Sequence, residues 1–189
     1  MEKNTSVKKK PRIQTKSIAF IAICIALNVV CSWIIIPYFS IPFTLQTFSI
    51  FFTLYFLGAK RGSFAILIYI LLGLIGIPVF AGFKSGVPAL AGATGGYILG
   101  FLVSGLIYLL FDRKNKALRV IGLYVGLLLC YVAGTVWFVY VYGQSGKETS
   151  FFTALSLCVL PFVLPDLVKV VLSVIVSDVL KKHHPFMQL

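Results

Sequence analysis

Acidic side chains are scarce in this sequence: Asp and Glu together number five in 189 residues, against seventeen Lys and Arg. Histidine occurs twice, as His183 and His184, and the four cysteines (Cys24, Cys31, Cys130 and Cys158) form no C-x-x-C pair. With no His or Cys at ligand spacing, neither a metal centre nor a resident cofactor is expected. The thiols read as small apolar packing groups. Also missing are a G-x-x-x-x-G-K-[ST] loop, an H-E-x-x-H pair and a G-x-S-x-G elbow. Their absence argues against P-loop nucleotide hydrolysis, zinc hydrolysis and serine acyl transfer. No catalytic residues are assigned, and the chain is not read as an enzyme.

What the sequence has instead is apolar surface. Hydrophobic residues make up 59% of the chain and charged residues 12%, with a mean hydropathy of +1.00; soluble domains run at about 45–50% and about 25%. The composition therefore describes an all-α polytopic integral membrane protein. The formal charge of +12 could suggest nucleic acid, but the basic residues stand in blocks between apolar runs rather than along one amphipathic face, so no nucleic-acid partner is expected.

Apolar runs fall at about 17–36, 45–59, 62–77, 93–111, 118–142 and 151–180. With about 20 apolar residues needed per helical crossing, these are read as six transmembrane helices, although 45–59 and 62–77 are short. Residues 1–16, with Lys3, Lys8, Lys9, Lys10, Arg12 and Lys16, read as a basic tail, residues 17–182 as one six-helix membrane bundle and 183–189 as a short end. The first run is too long for a signal-peptide h-region and lacks an A-x-A site, so it is kept as a span.

Orientation follows from the Lys and Arg content of the short connections. Six basic residues lie in the tail, two at Lys60 and Arg61, four at Arg113, Lys114, Lys116 and Arg119, and two at Lys181 and Lys182. The alternate connections hold only Lys84 and Lys147. Both termini are therefore expected on the cytoplasmic side. The outer connections, 37–46 and 77–92, are rich in Pro, Gly and aromatics. Non-helical backbone at membrane depth survives only around a cavity or inside protein, so both are candidates for the roof of a pocket.

Small residues recur at every fourth position in two runs: Gly92, Gly96, Gly100 and Ser104, then Gly122, Gly126, Cys130 and Gly134. Such stripes let two helices approach closely, and they predict a tight internal pair. Ala22 and Ala26 make a shorter stripe in the first run, which fits either internal packing or a partner-docking surface.

The last run carries Asp166 and Lys169, three residues apart and so on one helical face, with Ser173 one turn further. An ionisable group in hydrocarbon costs about 2.5–3.5 kcal/mol and usually faces the bundle interior. Pro161 and Pro165 are expected to break the run, the membrane helix starting near Pro165. At about 1.5 Å per residue, Asp166 then lies roughly 22 Å from the level of Lys181, on the side of the two Gly/Pro/aromatic loops. A buried pair adds little stability over apolar packing, so its presence points to a small-molecule site with Phe39, Phe43, Phe80, Phe83 and Tyr97 as apolar walls.

Several segments carry a resemblance to a known family: IPFTLQTF at 41–48, LGAKRG at 57–62, LLGLIGIPVFAG at 71–82, TGGYILGF at 94–101 and LPDLVK at 164–169. In order and spacing they closely resemble the BioY family, the biotin-specific S-components of energy-coupling factor (ECF) transporters. The resemblance implies a chain that binds biotin from outside, as transported ligand, and docks on a transmembrane coupling subunit carrying two ATPases. It implies docking through Ala22 and Ala26, and substrate binding by Asp166, Lys169, Gln46, Thr44, Phe80, Gly82, Gly95, Gly96 and Tyr97. The stretch FKSGVPALAGA at 83–93 departs from the family's more glycine-rich loop and leaves the role of Lys84 open. An alternative is an autonomous secondary transporter driven through protonation of Asp166, though the inverted repeat common in such proteins is not evident. A membrane enzyme using Asp166 and Lys169 as an acid/base pair lacks an accompanying nucleophile or metal site.

Overall fold

The computed structural model describes residues 15–36, 42–144, 146 and 150–183. Its helices are α1 (Thr15–Trp33), α2 (Gln46–Leu57), α3 (Ala59–Leu74), α4 (Gly86–Ala91), α5 (Gly95–Tyr108), α6 (Lys116–Gln144), α7 (Phe151–Cys158) and α8 (Leu160–His183). A two-residue antiparallel ribbon, β1 (Ile35–Ile36) with β2 (Phe43–Thr44), joins α1 to α2. Helix α1 already includes Lys16, so the helix begins inside the segment read as tail.

Three helices, α1, α6 and α8, are long and apolar enough to cross a bilayer, while α2 and α5 are shorter apolar helices. The architecture is all-α, with α2 at its centre. Every residue from Ser49 to Leu57 is buried, as expected of a helix that is apolar all round. At twelve residues, α2 is about 18 Å long. Helices α1, α3 and α8 pack around it.

The turn from α2 to α3 rests on Gly58, whose φ of 79° favours glycine. The first N–H of α3, on Ala59, donates to Asp112 Oδ2 at 2.9 Å. A carboxylate from a distant loop thus supplies the missing N-terminal partner of that helix.

Helices α5 and α6 form the expected close pair. A methyl group on Gly100 would meet Cys130 Sγ at 2.8 Å, and one on Gly126 would meet Ser104 Cβ at 3.1 Å. Ser104 Oγ also donates to Gly126 O at 2.7 Å, binding the helices through a backbone carbonyl. Gly92 departs from the stripe: it follows α4, and its carbonyl accepts from Trp137 Nε1 at 3.0 Å.

The last apolar run breaks earlier than the prolines suggest. The bend is at Val159 (φ −123°, ψ −54°). Pro161 follows in the first turn of α8, where its missing N–H costs nothing. Pro165 lies inside the helix, so the carbonyl of Pro161 lacks its usual i+4 donor. The start near Pro165 is therefore corrected to Leu160.

Candidate functional site

Helix α8 turns Asp166, Lys169 and Ser173 toward the interior, all buried. The side chains of Lys169 and Asp166 are 8% and 5% exposed, and Nζ meets Oδ1 at 2.8 Å. Lys169 Nζ also donates to Thr44 O at 2.7 Å and sits 3.9 Å from the centroid of the Phe43 ring. The second carboxylate oxygen, Oδ2, accepts from Tyr131 Oη of α6 at 2.7 Å. The ribbon strand β2, helix α6 and helix α8 therefore meet at one ion pair, each charge of which has a hydrogen-bonding partner beyond the other.

A second polar chain starts at the head of α2. Gln46 Nε2 donates to Tyr69 Oη at 2.9 Å, and Tyr69 Oη donates to Val79 O at 2.9 Å. The Gln46 backbone N–H donates to Thr44 Oγ1 at 3.2 Å. Phe80 meets the Tyr69 ring edge-on, with centroids 5.7 Å apart. It occupies the space above Gly73, where any larger residue would collide with its ring.

These elements enclose a cavity. Its apolar walls include Phe80, Tyr97, Ile98, Phe101, Leu127 and Phe162, and its polar groups include Thr44, Gln46, Thr94, Tyr131, Asp166 and Lys169. Apolar walls with a few convergent polar groups are the usual construction of a small-molecule site. The cavity suits a neutral, compact ligand body with both donors and acceptors, because the ion pair presents both at one place. Among the described residues no group of His, Cys, Asp and Glu could hold a metal ion.

Residues 3–186 match the family model described as "BioY family". The chain belongs to the BioY family. It is 38% identical over 159 residues to the biotin transporter BioY of Thermotoga maritima, covering 83% of this chain and 90% of that one. To biotin transporter BioY2 of Lactococcus lactis it is 39% identical over 163 residues, covering 84% and 86% of the two chains. Its fold is similar to the crystal structure of the S-component for biotin from an ECF-type ABC transporter, with a TM-score of 0.76 at 24% identity over 88% of this chain and 91% of that one.

Of the residues that the BioY resemblance nominated, Thr44, Gln46, Phe80, Tyr97, Asp166 and Lys169 line this one cavity. Gly82 lines an adjoining hollow instead. Gly95 and Gly96 line neither: Gly95 lies against the Leu90 carbonyl and Gly96 against Trp137 and the Ala133 carbonyl. Their place at the head of α5 is explained by packing, since that face is turned toward α4 and α6. Phe83 is also displaced, lying tilted against the Trp33 ring with centroids 4.9 Å apart. Phe39 lies outside the described residues. Ala22 and Ala26 are exposed on α1.

The site also holds residues that sequence reasoning passed over. Tyr131, Tyr69 and Phe162 are foremost among them. A tyrosine hydroxyl in a long apolar run needs a partner when buried, and for Tyr131 and Tyr69 that was the available sign. Cys130 and Cys158, read as packing residues, pack as expected and line the cavity as well. Lys84 lines both the cavity and the adjoining hollow while remaining exposed.

Proposed function

We propose that this chain is the biotin-capturing subunit of an ECF-type uptake system. The observation that carries the proposal is the Asp166–Lys169 pair facing an aromatic-walled cavity in a BioY-family chain. Biotin has a ureido ring with two N–H donors and one strong acceptor, an apolar sulfur ring and an anionic tail. Asp166 uses one acceptor direction on each oxygen, for Lys169 and for Tyr131, and a carboxylate has about four. Acceptor capacity remains for ureido N–H groups. Lys169 gives two of its three donors to Thr44 and Asp166, leaving one for the ureido carbonyl. The aromatic walls would take the sulfur ring, and the exposed Lys84, at the passage between the two hollows, would meet the carboxylate tail.

Discrimination follows from burial. An analogue without the ureido group would leave the buried pair facing an apolar surface, and sites built on such pairs reject the wrong ligand strongly.

The apolar segments form one six-helix membrane bundle with both termini cytoplasmic. The placement of charge supports this reading: Lys60, Arg61, Arg113, Arg119 and Lys181 surround one hollow at the end of the bundle away from Asp166, as the positive-inside rule requires. The exposed stripe of Ala22 and Ala26 would dock on the transmembrane coupling subunit, whose two ATPases would supply the energy, the sequence of this chain carrying no P-loop motif.

Equilibrium titration of labelled biotin onto the detergent-solubilised chain tests the assignment. Saturable one-to-one binding, with unmodified biotin recovered, is expected. Failure of the folded chain to bind biotin would refute it.

A further inference from the structure

At the far end of α8 from the ion pair, a second hollow opens between the α2–α3 turn, the segment after α5, the start of α6 and the end of α8. Five cations line it (Lys60, Arg61, Arg113, Arg119 and Lys181) with Asp112 as the single carboxylate. That carboxylate is already engaged. Its Oδ2 accepts from Ala59 N at 2.9 Å, and its Oδ1 lies 3.7 Å from Arg119 Nη2.

Two of the cations are held in place. Arg119 Nη2 donates to Tyr55 O at 3.2 Å and its Nε to Tyr108 Oη at 3.2 Å, with the guanidinium 4.5 Å from the Tyr55 ring centroid. Lys181 Nζ donates to the same carbonyl at 3.1 Å. Lys60, Arg61 and Arg113 are exposed and have no hydrogen-bond or ion-pair partner among the described residues. The hollow therefore carries four more positive charges than negative ones. Its remaining lining is apolar: Phe56 and Leu57 are buried and Leu109 is exposed, with Leu106 of α5 and Leu110 in the turn after that helix exposed beside it.

We infer that this hollow binds the phosphate of an anionic phospholipid, with acyl chains running along the exposed leucines at the end of α5 and in the turn that follows it. Positive charge alone would suit any anion, and the positive-inside rule accounts for basic residues at this level of the membrane. It does not account for their convergence around one concavity with so little counter-charge. Guanidinium forks suit phosphate oxygens, and basic hollows between membrane helices take lipid headgroups. The apolar surface beside the hollow selects a lipid over free phosphate. The inference stands apart from the biotin reading, since it uses none of the residues of the first cavity.

Native mass spectrometry of the purified full chain in mixed micelles, with phosphatidylglycerol or phosphatidylcholine added at matched concentration, reads the preference directly. At least tenfold preferential retention of phosphatidylglycerol is expected, with little displacement by inorganic phosphate. Arg61→Gln combined with Arg113→Gln should reduce that preference about tenfold, at an unchanged melting temperature in phosphatidylcholine. Lys114→Gln combined with Lys182→Gln removes the same charge outside the hollow and should keep the preference. Equal retention of the two lipids overturns the inference, as does an equal loss in both double variants, which would mean diffuse surface attraction. Saturation by inorganic phosphate with no lipid preference also overturns it. So does full retention of phosphatidylglycerol by the Arg61→Gln/Arg113→Gln variant, since the cations would then not hold the lipid.

Discussion

Replacing Lys169 by Met removes the charge while keeping most of the aliphatic volume. Asp166, 4% exposed, would keep Tyr131 as its one remaining partner. Stranding one member of a buried pair costs about 3–5 kcal/mol, and the Thr44 carbonyl loses its donor as well. The single variant Lys169→Met is expected to melt well below the parent; losing a charged donor to the ligand costs about 1.5–3 kcal/mol, so biotin should bind about one to two orders of magnitude more weakly, at about 1.4 kcal/mol per tenfold. Asp166→Asn, which strands the ammonium instead, should behave similarly. The double variant Asp166→Asn/Lys169→Met separates the two roles of the pair. Exchanging a whole buried pair for neutral groups is often neutral or stabilising, so its melting temperature should return to near the parental value. Its biotin binding should not return, because the ureido group has lost both its charged acceptor and its charged donor. Thermal unfolding in detergent and calorimetric titration of biotin are the two assays. A double variant that is stable and binds biotin within threefold of the parent would show that the pair is structural, and would refute the ligand assignment.

Two further outcomes follow from the same geometry. Tyr131→Phe deletes only the hydroxyl bonded to Asp166; a hydrogen bond to a charged group contributes about 1.5–3 kcal/mol, so biotin binding in the same titration should weaken about 10- to 100-fold, and an unchanged affinity would mean that Tyr131 merely lines the cavity. Ala22→Trp adds bulk on the exposed face of α1, so it should leave biotin binding by the isolated chain intact while abolishing co-purification with the coupling subunits and cellular biotin uptake; loss of binding as well would assign the stripe to internal packing.

Features that depend on local spacing were legible in the sequence. The α5–α6 contact needs small residues at every fourth position, and Gly100, Ser104, Gly126 and Cys130 meet across it. The Asp166–Lys169 pair needs only an i, i+3 interval and the penalty for charge in hydrocarbon. Features that depend on residues far apart in the chain were not legible. Nothing near Gly58 announces that the carboxylate capping α3 comes from Asp112, 53 positions from Ala59. Hydropathy marks 45–59 as a short run, but it cannot register that α2 stops after twelve residues with Ser49 to Leu57 all buried inside the bundle.

The nominated glycines show why a motif match and a lining residue are different things. Gly95 and Gly96 belong to the same TGGYILGF segment as Tyr97, but successive helical positions turn by about 100°, so only part of such a segment can face one cavity. Tyr97 faces it, and the two glycines admit the Leu90 carbonyl and Trp137. The same rotation explains Tyr131. Its neighbour Cys130 sits on the small-residue stripe against Gly100, and one position further round α6 faces α8, where the hydroxyl meets Asp166. A stripe of small residues thus marks one helix face and, by elimination, the neighbouring face on which a lone polar tip must find its partner. In this chain that partner is the carboxylate on which the proposed recognition of biotin depends.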